Sequence, residues 1–341
     1  MKRFGVLTGG GDCPGLNAVL VGVVRKASSL NHEILGIKRG WAGMLEKDTM
    51  PLTREDVSGI VHRGGTILRT SRTNPCKSEE DMRKVKENYR ELNLDGLICV
   101  GGDDTLGAAY RLYKEGINTV GVPKTIDNDL SGTDRTFGFD TAANIAMEAL
   151  DRLHTTAESH DRVLVVELMG RHAGWISLYA GLAGGADVIM IPEVEMTMEE
   201  VCDLLKKRRE RGRNFSIIAV AEGASVGGDF VTKDVPKDQF GHVRLGGMAE
   251  IVAKEIEKRT GFETRTVVLG HLQRGGSPTA YDRFLGLWFG VKAVELADRG
   301  EFGKMVSLRG TEFLAVDLKE AAGKLRTVDP KQFDDARIFF A

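Results

Sequence analysis

Apolar residues along this chain gather in short unbroken runs set apart by glycine-rich turns. The runs Arg3–Leu7, Gly96–Val100, Thr119–Val122, Val163–Leu168, Val188–Ile191, Ser216–Ala221 and Thr266–Leu269 are rich in Val, Ile and Leu and do not alternate with polar residues. Runs of that length and kind are expected of parallel strands covered on both faces. Between them, apolar residues recur at helical spacing in Asn17–Ser28, Thr105–Glu115, Thr141–Leu153, Met198–Arg211, Met248–Arg259 and Tyr281–Arg299. Thr197 with Glu200 three residues on predicts a capping box at the start of the fourth. Strand-helix alternation of this extent predicts an α/β fold with parallel sheets and right-handed crossovers. Ser225–Gly247, with five glycines, reads as a surface excursion or hairpin, and Lys319–Ala341 as a helical piece followed by an irregular tail.

Length and composition narrow the class. At ~150 residues per domain, 341 residues suggest two domains. A formal net charge of −2 argues against a nucleic-acid binder that works by bulk charge. No apolar run approaches the ~18 residues of a membrane-spanning helix. The start MKRFGVLTGGGD meets a glycine turn too soon for a signal-peptide core. Cys13, Cys76, Cys99 and Cys202 lie far apart with no CxxC pair, so neither a disulfide framework nor a zinc site is expected. A reducing cytoplasm fits. Glycine is the unusual figure, 42 residues, about 12% against an average near 7%. It clusters where the apolar runs end.

In open α/β sheets ligands bind beyond the carboxyl ends of the strands. After the first run comes Thr8-Gly9-Gly10-Gly11-Asp12-Cys13-Pro14-Gly15-Leu16-Asn17. This is neither GxGxxG nor a P-loop. Glycines before a helix still let backbone N–H groups approach an anion, while a tight turn needing φ > 0 is the plainer explanation. The second run ends in Gly101-Gly102-Asp103-Asp104-Thr105. Adjacent carboxylates there suit a Mg²⁺ ion carried by a phosphate, or Asp104 or Thr105 simply caps the next helix. The third ends in Pro123-Lys124-Thr125-Ile126-Asp127-Asn128-Asp129. Asp127 could act as a general base and Asp129 as a metal or supporting group, against a solvated turn. Later runs supply cations: Arg162, Met169-Gly170-Arg171, Arg265, and Gly270-His271-Leu272-Gln273-Arg274-Gly275-Gly276, with Glu222 at another strand end. Arginine forks suit phosphate monoesters and carboxylates suit sugar hydroxyls, although any one arginine is more often a solvated surface residue.

Together GGGDCPGLNA, RGGTILRTSR, GGDDT, PKTIDND, MGR, AEG and GHLQRGG resemble the 6-phosphofructokinase family in order and spacing, from Arg3 to about Gly310. GGDDT alone is unspecific, because NAD and lipid kinases carry similar turns. The resemblance implies two Rossmann-like three-layer lobes with parallel sheets and an active site in the cleft between them. Residues 1–138 with 251–304 would form the phosphoryl-donor lobe, 139–250 with 305–325 the sugar-phosphate lobe, and 326–341 a tail. It places the donor against Gly11, Arg72 and Asp103. It places the 6-phosphate of fructose 6-phosphate against Arg265, His271, Arg274 and, from a neighbouring subunit, Arg162. Met169, Gly170, Arg171 and Glu222 would meet the sugar or the transferred group. Asp127 would take the proton of the 1-hydroxyl, with Thr125 beside it. Mg²⁺ would sit at Asp103 with Asp129, and Lys124, Arg72 and Arg171 would supply positive charge. A homodimer or homotetramer is implied, since one arginine crosses between subunits.

Two positions depart from the ATP-using pattern, in which glycines stand where this chain has Asp104 and Lys124. The resemblance puts Asp104 in the space of a nucleotide α-phosphate. Two unit charges about 4 Å apart at an effective dielectric near 20 repel by about 4 kcal/mol, roughly a thousandfold in binding. Pyrophosphate has no α-phosphate, and Lys124 would offset its charge. Lysine there also occurs in ATP-using members, so Asp104 carries the distinction. The expected activity is reversible, pyrophosphate-dependent phosphorylation of fructose 6-phosphate. The alternatives are an ATP-dependent enzyme and a catalytically silent phosphosugar-binding protein; sedoheptulose 7-phosphate is a further possible acceptor. Of the family's effector cluster, Arg25, Arg54, Arg211 and Arg213 match basic positions, whereas Val21 and His154 replace arginines and Asp187 a glutamate. Weak effector control is expected.

Overall fold

The computed structural model describes residues 1–226, 246–321 and 323–340. The predicted excursion Ser225–Gly247 therefore lies outside the described residues except at its two ends. In chain order the strands are β1 (Arg3–Thr8), β2 (Glu33–Ile37), β3 (Thr49–Pro51), β4 (Gly96–Gly101), β5 (Thr119–Thr125) and β6 (Phe137–Gly138). There follow β7 (Val163–Leu168), β8 (Val188–Met190), β9 (Ser216–Ala221), β10 (Thr264–Val268), β11 (Lys304–Arg309) and β12 (Glu312–Asp317). The chain divides into two compact units, Met1–Thr141 with Arg274–Leu325, and Ala142–Gln273 with Arg326–Ala341.

In the first unit the sheet order is β12-β11-β5-β4-β1-β2-β3, with β6 paired to β5. The strands β2, β1, β4, β5 and β11 are parallel, and β3 and β12 close the two edges antiparallel. The predicted apolar runs are its centre: Phe4, Val6, Leu7, Ile98, Cys99, Val120 and Val122 are fully buried. From β1 the chain goes first to β2 and only later returns to β4 on the other flank. That reversal creates a switch point at the carboxyl ends of β1 and β4, where a crevice opens in such sheets. Helices Leu16–Ser29 and Ala280–Arg299 pack so closely that glycine is required. A Cβ on Gly290 would lie 2.8 Å from the Val23 nitrogen, and one on Gly286 would lie 2.9 Å from the Gly15 carbonyl oxygen.

The second unit holds a four-stranded sheet, β10-β7-β9-β8, parallel throughout. Its helices include Trp175–Ala183, Met198–Glu210 and Met248–Thr260. The second of these begins at the predicted capping box of Thr197 and Glu200.

The units do not follow the expected segment boundaries. Residues 305–325 fall in the first unit, because β11 pairs with β5 (Lys304↔Val120, Met305↔Gly121) and β12 folds back on β11. Residues 251–273 fall in the second, because β10 pairs with β7. The expected irregular tail contains a helix, Pro330–Ala336, capped by the Asp329 side chain on the Lys331 N–H and anchored by fully buried Phe333. Among the described residues, no helix is long and apolar enough to cross a membrane.

Candidate active site

The first unit gathers its chemistry at three adjacent strand ends, since Thr8 of β1 pairs with Val100 of β4, and Gly101 with Pro123 of β5. After β1, Gly10 takes φ +78, a conformation that favours glycine. The Gly10 N–H donates to the Ser71 carbonyl (3.0 Å), and the Thr70 hydroxyl donates to the Gly10 carbonyl (2.6 Å). This laces the segment carrying exposed Arg72 to the glycine turn. The sequence suggested no such tie across sixty residues.

After β4, helix Asp103–Lys114 begins with Gly102 as its N-cap and makes no side-chain capping bond. Asp103 and Asp104 therefore both occupy the first turn, which excludes the reading in which Asp104 or Thr105 is the cap. The positive end of the helix dipole favours carboxylates there. At the end of β5 and in the turn after it, Lys124, Asp127 and Asp129 are buried to 4%, 6% and 8% exposure. The Lys124 ammonium donates to the Gly11 carbonyl (2.5 Å), joining the end of β5 to the turn after β1. Burial pushes the Lys124 pKa below the usual lysine value and nearby Arg274 adds to this, partly countered by Asp127 and Asp103. Burial likewise pushes the Cys13 thiol up, so it stays protonated.

The Asp127 turn is tightly specified. The Asp127 N–H donates to the Thr125 hydroxyl (3.0 Å), and Asn128 takes φ +53. The Thr136 N–H donates to Asn128 Oδ1 (3.1 Å), and the Thr136 hydroxyl donates to the Thr125 carbonyl (2.9 Å). Arg274, which the resemblance sets against the sugar phosphate, also belongs to this unit. Its guanidinium donates to the Asp12 carbonyl (3.2 Å), and a Cβ on Gly11 would lie 2.7 Å from it. A side chain at Gly11 would therefore have to displace the end of the Arg274 side chain. The first unit thereby brings together Gly11, Arg72, Asp103, Asp104, Lys124, Thr125, Asp127, Asp129 and Arg274.

The second unit does the same at the ends of β7, β9 and β10. Gly170 and Arg171 follow β7 with φ +144 and +51. The Arg171 N–H donates to Glu222 Oε1 (3.1 Å), joining the ends of β7 and β9. The Met169 N–H donates to Oε1 of fully buried Gln273 (3.3 Å), joining β7 to the turn that carries His271. Gln273 lies in a motif already singled out, yet its role was invisible without the fold. Arg162 and Arg265 both pair with Glu263, at 2.8 and 2.6 Å, which holds the Glu263 carboxyl below its usual range. These two arginines therefore share one patch and stand apart from Met169–Arg171.

Other polar residues were missed. Glu167, 4% exposed on β7, accepts N–H groups from Gly247 (3.0 Å) and Ala249 (3.0 Å) at the start of helix Met248–Thr260. Asp282 is fully buried and accepts the Thr141 N–H (2.8 Å) and hydroxyl (2.5 Å). Burial pushes its pKa up to about 6. Of the effector positions, Asp187 is taken up by Arg208 (2.9 Å) and the Ile217 N–H (2.9 Å), and His154 by the Gly184 carbonyl (2.8 Å).

The profile of the phosphofructokinase family matches residues 3–297. A pyrophosphate–fructose 6-phosphate 1-phosphotransferase of Streptomyces coelicolor is 57% identical, over 99% of each chain. An ATP-dependent 6-phosphofructokinase of the same organism is 49% identical, over 98% of each chain. The crystal structure of a pyrophosphate-dependent phosphofructokinase from Marinobacter aquaeolei has the same fold, with TM-score 0.84 at 23% identity over 99% of this chain and 88% of that one.

Proposed function

The chain belongs to the phosphofructokinase family, and from that premise we propose that it transfers a phosphoryl group from pyrophosphate to the 1-hydroxyl of fructose 6-phosphate. The products are fructose 1,6-bisphosphate and phosphate, and the reaction runs in both directions. The observation that carries the donor is Asp104 in the first turn after β4, with Lys124 buried beside the Gly11 turn. A carboxylate there repels an additional phosphate, and a buried ammonium attracts a compact, highly charged one. Identities are 57% to a pyrophosphate enzyme and 49% to an ATP enzyme, and Asp104 carries the distinction between the donors.

Phosphoryl transfer asks the protein for alignment and charge rather than covalent help. Asp127 accepts the proton of the attacking 1-hydroxyl, its turn held by Thr125. Lys124, Arg72 and Arg171 balance the charge of the transferred group. Met169, Gly170 and Glu222 hold the sugar, and Arg265, His271, Arg274 and, from a neighbouring subunit, Arg162 hold its 6-phosphate. Among the described residues no three His, Cys, Asp or Glu side chains form a metal cage. The donor set fits Mg²⁺, which takes one or two carboxylates with phosphate oxygens; Asp103 and Asp129 would be its protein ligands. When bound, Mg²⁺ would neutralise charge on the donor oxygens. The working form is a homodimer or homotetramer in the cytoplasm, weakly controlled by effectors.

The test is a comparison of initial rates with pyrophosphate and with ATP, each with fructose 6-phosphate and Mg²⁺. Pyrophosphate should give the higher kcat/KM by about a thousandfold, following the repulsion at Asp104. Asp104→Gly should narrow that ratio while Lys124 keeps it from reversing. Equal efficiencies in the unaltered enzyme would point to an ATP-dependent kinase, and no turnover with either donor to a silent binding protein.

A further inference from the structure

The segment beginning at Arg326 is bound to the loop that follows β7, through side chains to which no function was assigned. Glu193 stands at the centre. Its carboxylate accepts the Gly174 N–H through both oxygens (2.9 and 3.0 Å), and its Oε1 also accepts the Val328 N–H (2.8 Å). One residue on, the Trp175 indole N–H donates to the Arg326 carbonyl (3.0 Å), and the Arg326 guanidinium lies 4.3 Å from the centre of the Trp175 ring. Val328 and Trp175 are buried, at 1% and 4% exposure. Gly174 has no room for a side chain, since a Cβ there would run into Cβ and Cγ2 of Ile191 as well as Glu193 Oε2.

We propose that the segment Arg326–Phe340 is a strap that holds the loop Met169–Gly174 in its sugar-binding shape, with Glu193 as the positioning residue that joins the two. This rests on the assignment of Met169, Gly170 and Arg171 to fructose 6-phosphate. The loop needs such a hold. Gly170 and Arg171 have positive φ, and the arginine adopts that conformation at a cost that surrounding structure must offset. At one end the loop is fixed by Gln273 on the Met169 N–H and by Glu222 on the Arg171 N–H. A turn closes across it, with the Ala173 N–H donating to the Gly170 carbonyl (2.9 Å). At the other end the first backbone group before helix Trp175–Ala183 is held by Glu193. Because that helix N-terminus makes no side-chain capping bond of its own at Gly174, the carboxylate and the strap define where the loop stops. Loss of Glu193 frees the Gly174 and Val328 N–H groups together, so loop and strap loosen as one unit. Glu193 makes no contact with the reacting group on this reading; it acts through Met169, Gly170 and Arg171.

The experiment compares wild type, Glu193→Ala and Glu193→Gln in the full chain. Fructose 6-phosphate binding is followed by calorimetry, KM and kcat are measured with both substrates, and backbone hydrogen exchange is read by mass spectrometry. Glu193→Ala should speed exchange about tenfold in residues 169–175 and 326–330, with the β7 and β9 peptides unchanged. It should weaken fructose 6-phosphate about tenfold and leave the KM for pyrophosphate unchanged. Glu193→Gln keeps the oxygen that serves both N–H groups and should recover most of the binding. Trp175→Phe, which removes the indole bond to the Arg326 carbonyl and shrinks the ring beneath the Arg326 guanidinium, should give the same pattern more weakly, and it decides the matter if Glu193→Ala does not fold. Faster exchange with unchanged sugar binding overturns the strap, as does an equal loss toward both substrates. A wild-type enzyme that does not bind fructose 6-phosphate at all would instead sink the functional reading beneath it.

Discussion

Asp127 gains its meaning from the side chains around it. A carboxylate in a solvated turn would exchange protons with water and be poorly aimed. Here it is 6% exposed, its backbone is tied to Thr125, and the following Asn128–Thr136 bonds fix the turn at both ends. Asp127→Asn keeps the shape and removes the basic oxygen. Loss of a general base typically costs ~10²–10⁴ in rate, so kcat should fall by that factor while the KM for pyrophosphate changes little. The same group must return the proton to the departing sugar oxygen in reverse, so fructose 1,6-bisphosphate with phosphate should slow equally. Stopped or coupled assays in the two directions check this. Near-normal turnover in either would move the role to another residue.

The elements were legible in the sequence where burial is two-sided. The runs that became β1, β4, β5, β7, β8 and β9 are apolar on both faces, and the fold keeps each to within a few residues. Elsewhere the pattern was diluted. The strand β2, GluIleLeuGlyIle, has one polar end, and β12 has only Val316 buried among its middle residues. Helix Glu79–Glu91 buries only Val85 and Asn88, so it carries too few apolar positions for its period to stand out. Helix Trp175–Ala183 is apolar nearly all round and shows no period either. The candidate site residues could be singled out because polar and charged groups concentrate at strand ends. The groups that hold them, Gln273, Glu193, Glu167 and Asp282, were not, because a buried polar side chain is recognised only by its partner. Asp282 has a testable consequence at this scale. It caps the start of helix Phe139–Ser159 through Thr141, and its pKa is raised from 3.8 to about 6 by burial. An acid whose folded pKa is raised adds stability that is full below its unfolded pKa and lost as pH rises through the folded one. From pH 4.5 to 7 the loss amounts to about 2 kcal/mol. Asp282→Asn has no such titration, so its stability relative to wild type should rise by about that much over the same window. Urea unfolding at several pH values measures it. Parallel curves for the two proteins would mean that Asp282 is not the titrating group.

At the scale of the whole molecule, the pairing of Arg162 and Arg265 on Glu263 gives the subunit question a sharper form. Family resemblance sends Arg162 into a neighbour's site and keeps Arg265 at home, yet both arginines pair with Glu263 where the adjacent strands β7 and β10 begin. Arginines that share one carboxylate are placed to serve one phosphate, so the expectation is that Arg265 crosses wherever Arg162 does. A charge-assisted bond of this kind contributes about 1.5–3 kcal/mol, so Arg162→Ala should weaken fructose 6-phosphate by roughly tenfold to a hundredfold, with less effect on pyrophosphate. Arg265→Ala should behave alike. The decisive measurement mixes subunits. Arg162→Ala chains retain the base, and Asp127→Asn chains retain both arginines. In a randomly mixed two-fold dimer half the molecules are hybrids, and one of the two sites in each takes its base from one chain and its arginine from the other, so about a quarter of the wild-type sites should return. Replacing Arg162→Ala by Arg265→Ala in the mixture should recover the same fraction if the two arginines travel together, and nothing if Arg265 serves its own chain. Exchange of subunits has to be demonstrated first, by mass spectrometry of the mixed oligomers. With exchange demonstrated and no activity recovered in either mixture, both arginines would act within their own chain, and a single subunit would hold every residue that the reaction needs.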